Sequence, residues 1–146
     1  MKSNLRKIAA DKLFRVLDAN YNRLREGLRV CEDICRFSLD RDENTRQYKS
    51  IRHCLTAIFS SSLFDDMILS RDILKDVGRR SIPSESKRQD VRDVYCANSQ
   101  RVKESLRVLE EFLKILDPGK AEALKKIRYR VYEVERKVFR EMRVRR

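Results

Sequence analysis

Residues 16–32, VLDANYNRLREGLRVCE, return at residues 94–110 as VYCANSQRVKESLRVLE. At this offset of 78, nine of the 17 positions are identical, among them Asn20/Asn98, Arg23/Arg101, Arg29/Arg107 and Glu32/Glu110. A second echo follows at an offset of 76, where Ile51-Arg52 matches Ile127-Arg128 and Leu55 matches Val131. The offset changes between the two matched stretches, where a turn tolerates a change of length. A repeated unit of this size cannot bury its apolar face alone, so one copy must pack against the other.

Within each copy the apolar residues recur at helical spacing. At about 100° per residue, Leu13, Val16, Leu17, Leu24, Leu28, Cys31, Ile34 and Cys35 fall in one stripe, and Val91, Val94, Tyr95, Val102, Leu106, Leu109, Phe112 and Leu113 fall in another. Three Gly and two Pro in 146 residues leave too few turn signals for a sandwich or barrel. The spacing predicts helices over about Ile8–Phe37, Thr45–Phe64, Ser86–Leu116 and Pro118–Arg143. Asp117 suits the cap of the last helix and Pro118 its first position. The expected architecture is all-α, one domain over residues 1–146. It is a four-helix bundle in which two helical hairpins (repeat 1 about 8–64, repeat 2 about 86–143) pack with pseudo-twofold symmetry. A crossing loop over about 65–89 has no counterpart in the other half, and Gly78 and Pro83 punctuate it. A connection this long is either disordered or functional, and its mixture of Arg, paired Asp and Gly favours function.

Thirty-five Lys and Arg against 23 Asp and Glu leave a net charge of +12. A basic surface predicts anionic company: nucleic acid, an acidic membrane or phosphorylated small molecules. No run of 18 apolar residues is present, and the N-terminus leads into Asp11, Lys12 and Arg15 rather than an apolar signal core. A cytoplasmic protein with reduced thiols is expected. Cys31, Cys35, Cys54 and Cys96 then read as small packed side chains, because His53 is the lone histidine and no metal cluster is completed. GxxxxGK[ST] and GxGxxG are both absent, which argues against a P-loop and a dinucleotide fold.

Asn20 and Asn98 lie at the centres of the two apolar stripes. Their amides either bond each other and fix helix register, or read a donor and an acceptor on a heterocyclic ligand. Arg23 and Arg101 lie at the stripe edges, and Arg52 and Arg128 border the faces of the partner helices. Convergent guanidinium forks make an anion site, although pairing with Glu26, Glu32, Glu104 and Glu110 competes with that reading. Arg29 and Arg107 point away from the stripes, so a simple bundle core does not explain their retention. Asp72 and Asp76, four apart beside Arg71 and Lys75, suit either Mg²⁺ held with ligand phosphates or the caps of a solvated loop.

Taken in order, these residues resemble the small hydroxymethylpyrimidine phosphate kinases of thiamine biosynthesis. That family occurs alone or fused in front of thiamine-phosphate synthase. The resemblance is carried by Val16-Leu17-Asp18-Ala19-Asn20 with Arg23, Arg25-Glu26-Gly27-Leu28-Arg29-Val30, Glu32-Asp33 and Arg36-Phe37. It continues through Lys49 with Ile51-Arg52-His53, Arg71-Asp72 with Asp76-Val77-Gly78, and Ala97-Asn98 with Arg101-Val102. Glu104, Leu106-Arg107-Val108-Leu109-Glu110-Glu111-Phe112, Lys126, Arg128-Tyr129-Arg130-Val131-Tyr132 and Glu135 complete it. Ser105 stands where Ala is expected and Cys31 where an aliphatic is usual, both small changes of volume.

The resemblance runs from about residue 15 to residue 137, and the absence of a synthase barrel after residue 146 suggests the standalone form. It implies transfer of the γ-phosphoryl of ATP to a hydroxymethyl-aminopyrimidine monophosphate, giving the diphosphate, with the free alcohol a poor substrate. The residue roles rest on the sequence geometry rather than on the resemblance: Arg71, Asp72 and Asp76 are expected to be catalytic, Asp72 and Asp76 as Mg²⁺ ligands. Asn20, Arg23, Arg52, Asn98, Arg101 and Arg128 are expected to bind substrate. ATP and a small phosphate ester are the expected partners. No membrane is expected, nucleic acid is disfavoured, and self-association is left open. Two rival readings remain: a basic nucleic-acid-binding module, drawing on the tail Arg136-Lys137…Arg140…Arg143…Arg145-Arg146, and a non-catalytic partner domain of a thiamine enzyme. Glu interleaved with the basic residues dilutes any one-signed face and weakens the first rival.

Overall fold

Helical spacing with almost no Gly or Pro leads to helices over most of the described residues. The computed structural model describes residues 2–59, 61–79 and 87–144, and the side chains of residues 9–59, 62–79 and 87–144. Helix α1 is Lys2–Asp33, α2 Asp42–Ile58, α3 Ser61–Leu69, α4 Val91–Leu116 and α5 Pro118–Val144. The all-α expectation holds. No helix among these residues is long and apolar enough to cross a membrane.

Several boundaries differ from the expected ones, each for a local reason. Helix α1 starts at Lys2 rather than Ile8, since nothing before Gly27 interrupts it. It ends in a π-helical turn, Ile34–Ser38, where Leu39 N–H reaches the Ile34 carbonyl at 3.0 Å. Asp40 then takes a left-handed conformation, which Asp tolerates better than most residues, and α2 begins at Asp42 rather than Thr45. The expected helix to Phe64 breaks instead at Phe59, which leaves helical geometry and is buried. Its ring lies 4.4 Å from that of Tyr21. The chain turns there because the core gains an aromatic pair and serines favour helix ends. The stretch expected to open the crossing loop is therefore the helix α3, with Met67 fully buried. Helix α4 begins at Val91, where the Asp90 carboxylate accepts the Asp93 N–H at 2.8 Å; the expected start at Ser86 lies outside the described residues. Asp117 accepts the Lys120 N–H at 3.1 Å, as expected for the cap of α5.

Helix α1 lies along α4, α4 along α5, α5 against α2 and α2 against α1, while α3 covers part of α1. Between them sits one apolar core, with Leu17, Leu24 and Leu28 from α1, Val102, Leu106 and Leu113 from α4, Ile51 and Leu55 from α2, and Val131 and Val134 from α5. Helix α1 approaches α4 closely at Gly27. A Cβ on Gly27 would lie 2.8 Å from Val102 Cγ2 and 3.1 Å from the Asn98 carbonyl oxygen, and that carbonyl belongs to the backbone. Gly27→Val is therefore expected to lower stability by about 1–3 kcal/mol despite ending the helix-interior penalty of glycine. Urea unfolding followed by circular dichroism checks it, and an unchanged midpoint contradicts the close approach.

Tyr48 and Tyr95 meet inside this core, their hydroxyls 2.6 Å apart. Beside them Cys31 and Cys35 are buried, while Cys54 and Cys96 are half-buried. Burial, followed by the charge of Cys35, pushes the Cys31 thiol up to about 12. Burial and then Glu141 push Cys35 up to about 12. Two consequences follow from protonated, enclosed thiols. Iodoacetamide is expected to alkylate Cys54 and Cys96 but not Cys31 or Cys35 in the native protein, read by peptide mass spectrometry. The fold is also expected to lose stability as pH rises. The ordinary thiol value is 9.0, so the unfolded chain ionises first and the thiols' contribution, complete below about pH 9, drains away towards pH 12. A melting temperature that holds constant from pH 8 to pH 11 contradicts this.

Candidate functional site

The loop that follows α3 is tied to α1 by one buried carboxylate. Asp18 has a side chain 8% exposed and accepts both arms of the Arg71 fork, Nε to Oδ2 at 2.8 Å and Nη2 to Oδ1 at 2.7 Å. Asn22 Nδ2 adds a bond to Asp18 Oδ1 at 3.2 Å. Bidentate pairs of this kind fix orientation as well as distance. With Arg71 anchored, the loop lies across α1 and borders an open cavity of about 500 Å³. Its walls carry Lys12, Arg15 and Arg23 from α1, Arg71, Asp72 and Asp76 from the loop, and Asn20 between them.

A second cavity, of about 420 Å³, shares Asn20 and Arg23 with the first and continues along α4 past Gln100, Arg101, Glu104 and Ser105. Asn20 is buried, and its Nδ2 donates to the Val16 carbonyl of its own helix at 2.9 Å. Asn98 does the same with Val94 at 2.8 Å. The two amides therefore do not bond each other. The Oδ1 of Asn20, in the wall of both cavities, is left as an acceptor.

Of the residues expected at the site, Asn20, Arg23, Arg71, Asp72 and Asp76 meet in the first cavity, and Arg101 lies in the second. Arg52, Arg128 and Asn98 line neither. Arg52 is held by Glu32, with Nη2 to Oε1 at 3.0 Å, and Arg128 by Glu110, with Nε to Oε2 at 2.8 Å. Both carboxylates are buried, each with a side chain 4% exposed. Arg29 and Arg107 close the same two networks, lying 3.5 Å from Glu32 and 3.1 Å from Glu110. They also contact Asp33 and Glu111. This accounts for the retention of Arg29 and Arg107: a buried carboxylate needs more than one donor to offset its desolvation. Bonding to Glu110 and then to Tyr132 raises Arg128 further above the ordinary guanidinium range, and Glu32 does the same for Arg52.

Lys12, Arg15 and Asp18 were not expected here. Their counterparts in the other half are Asp90, Asp93 and Cys96, so a search for residues kept in both copies passes over them. The signal that does point to them is that difference in charge. Asp72 Oδ1 accepts the Lys75 N–H at 3.2 Å and Asp76 Oδ1 the Gly78 N–H at 2.9 Å, so each carboxylate closes a turn with one oxygen. The other oxygen of Asp72 lies 4.0 Å from Lys75 Nζ, and that of Asp76 has no partner among the described residues. No group of three His, Cys, Asp or Glu among the described residues is placed to hold a metal alone. Two hard oxygen donors beside a cationic cavity do fit Mg²⁺, which takes one or two carboxylates and completes its shell with phosphate and water.

A family model described as the ThiD2 family matches residues 15–137. The chain is 44% identical over 122 residues to a thiamine-phosphate synthase of Synechocystis sp. (strain PCC 6803), covering 83% of this chain and 34% of that protein. It is 40% identical over 124 residues to a thiamine-phosphate synthase of Nostoc punctiforme, covering 84% and 34%. The corresponding protein of Gloeobacter violaceus is 39% identical over 124 residues, covering 84% and 35%. The chain thus spans about a third of the length of the curated relatives it matches. No solved structure matches it.

Proposed function

Because the chain belongs to the ThiD2 family, we propose that it serves thiamine biosynthesis as an ATP-dependent phosphotransferase that converts a hydroxymethyl-aminopyrimidine monophosphate to the diphosphate. The observation that carries this reading is the pair of adjoining cavities that share Asn20 and Arg23, one of them ringed by Lys12, Arg15 and Arg23. Two ligands placed side by side, both anionic and at least one a nucleobase-like ring, are what such a pair accommodates. The relatives named thiamine-phosphate synthase support the pathway, and the one-third coverage supports a separable unit beside their synthase portion. We read the four long helices as one hairpin used twice. The matching Arg29–Glu32–Arg52 and Arg107–Glu110–Arg128 networks support that.

In this reading an oxygen of the acceptor phosphate attacks the γ-phosphorus of ATP. The bond from that phosphorus to the β–γ bridging oxygen breaks, and ADP leaves with the electron pair. The acceptor is already an anion, so no strong general base is required and the work is positioning and charge neutralisation. Arg23, between the two cavities, bridges donor and acceptor phosphates, and Lys12 and Arg15 hold the outer oxygens. Arg71, fixed on Asp18, positions the loop and keeps Asp72 and Asp76 over the cavity. Asp72 and Asp76 would hold Mg²⁺, which supplies charge neutralisation on the transferring phosphate when bound. Asn20 Oδ1 accepts from the exocyclic amine of a pyrimidine or adenine. Among the described residues this cationic cavity occurs once, over α1, because the second half carries Asp90 and Asp93 where Lys12 and Arg15 would be needed. Rejection of the free alcohol follows, since guanidinium groups left without a phosphate gain nothing to offset their desolvation.

The test is ADP release from ATP and Mg²⁺ by the purified protein, with and without the pyrimidine monophosphate. Release that depends on the monophosphate supports the reading, and its absence overturns it in favour of a non-catalytic partner domain.

A further inference from the structure

The basic residues near the end of α5 play no part in the cavity described above. Arg136, Arg140 and Arg143, spaced to share one face of α5, line a groove of about 460 Å³ together with Phe139, Met142 and Arg92 from the first turn of α4. The groove shares no residue with the two cavities.

None of these four guanidinium groups has a carboxylate within ion-pair distance among the described residues, and the acids around them are engaged elsewhere. Glu141 pairs with Arg41, Glu135 with Lys103 and Glu133 with Lys137. Asp90 caps α4, and Asp93 accepts the Gln89 N–H. The floor, by contrast, is anchored. Phe139 meets Tyr95 edge-on at 5.9 Å, and the Arg92 guanidinium stacks over the same ring at 5.6 Å. A favourable interaction with the end of the α5 dipole explains Arg140 and Arg143, but not Arg92 and Arg136.

Four like charges around an apolar floor, without a counter-charge among the described residues, call for a ligand that brings several negative charges in a small volume. We propose that this groove binds a compact oligophosphate, a di- or triphosphate either free or carried on a small organic body. The volume is that of a small-molecule site. Among the described residues the groove's charge spans about 10 Å of α5 and one residue of α4, a track too short for an extended nucleic-acid strand. Guanidinium forks match phosphate oxygens in pairs, and the Phe139 ring gives an attached base or ring a surface to stack on.

The experiment is isothermal titration on an Arg15→Ala/Arg23→Ala background, which removes the two guanidinium groups assigned to phosphate in the first cavity, leaves Arg71 held by Asp18, and makes the outcome independent of the ADP-release assay. Inorganic tripolyphosphate and ADP are titrated separately at about 0.15 M salt. One tripolyphosphate or one ADP bound per chain is expected, with affinity falling at least about tenfold when Arg92→Ala/Arg140→Ala is added. Equal binding of the two ligands assigns recognition to phosphate alone, and tighter ADP binding assigns the organic body to Phe139. Arg92→Gln/Arg140→Gln serves as a second pair, and thermal melts verify that both pairs fold. No binding on that background overturns the proposal, as does undiminished binding by both pairs. Tighter groove-dependent binding of a single-stranded RNA of about twelve nucleotides also overturns it.

Discussion

Arg23→Ala is expected to lower kcat/KM for phosphoryl transfer by about 10²–10³-fold or more while the melting temperature stays within the error of the measurement. The size follows from the position of the side chain. Arg23 lies in the wall of both cavities, and it has no ion-pair partner among the described residues that would hold it in a structural role. A cationic donor aimed at charge that develops during transfer is worth several kcal/mol, comparable to loss of an oxyanion-stabilising donor. Because Arg23 is exposed, its removal opens no hole in the core, and an effect on stability within about 0.5 kcal/mol is expected. The companion variant Asp72→Ala separates the metal from the arginine: it should raise the Mg²⁺ concentration needed for half-maximal rate. An Asp72→Ala enzyme with unchanged Mg²⁺ dependence removes Asp72 from the metal's shell. An Arg23→Ala enzyme of normal activity removes the shared-wall mechanism altogether.

The second large effect is on stability. Arg52→Met and Arg128→Met each leave a buried glutamate with its better donor gone, and each is expected to cost about 2–4 kcal/mol of unfolding free energy. Arg29 and Arg107 remain near those carboxylates, which is why the cost falls short of that of a wholly abandoned charge. The double replacement Glu110→Met/Arg128→Met should recover most of the loss, since a well-packed apolar pair of similar volume needs no solvation. Denaturant unfolding at equilibrium measures all three. A single variant as stable as the parent shows that the pair is solvent-screened and contributes little, as exposed pairs usually do. The two sites are expected to respond alike, because Glu32 and Glu110 receive their arginines from equivalent positions of the repeat.

These two outcomes mark where reading the sequence succeeds and where it misleads. Spacing of apolar residues and scarcity of Gly and Pro led directly to long helices, and Asp117-Pro118 to the cap of α5. Both depend on interactions within a few residues, which a linear sequence displays. The break at Phe59 did not show in the same way, since it arises from the Phe59 ring meeting Tyr21, a partner far away in the chain. Retention in both copies selected Asn20, Arg23, Arg52, Asn98, Arg101 and Arg128 as one group, yet the fold divides them. Arg52 and Arg128 neutralise buried glutamates, Asn98 bonds its own helix, and Asn20 and Arg23 reach the cavity.

By itself, then, the order of residues determined that this chain makes helices, where α4 gives way to α5, and that one stretch of sequence recurs 78 residues on, because those properties rest on local propensity and periodicity. Only the packed structure decided which of the repeated charges meet a buried carboxylate and which face open space. A guanidinium at the edge of a stripe has the same appearance in sequence whether its partner is a glutamate across the core or a ligand. The tertiary structure also brought in Lys12, Arg15 and Asp18, the positions where the two halves differ most in charge, by laying the Arg71–Gly78 loop over α1. The contact that ties the loop over the cavity, Arg71 on Asp18, is made by residues that have no charged counterpart 78 residues on.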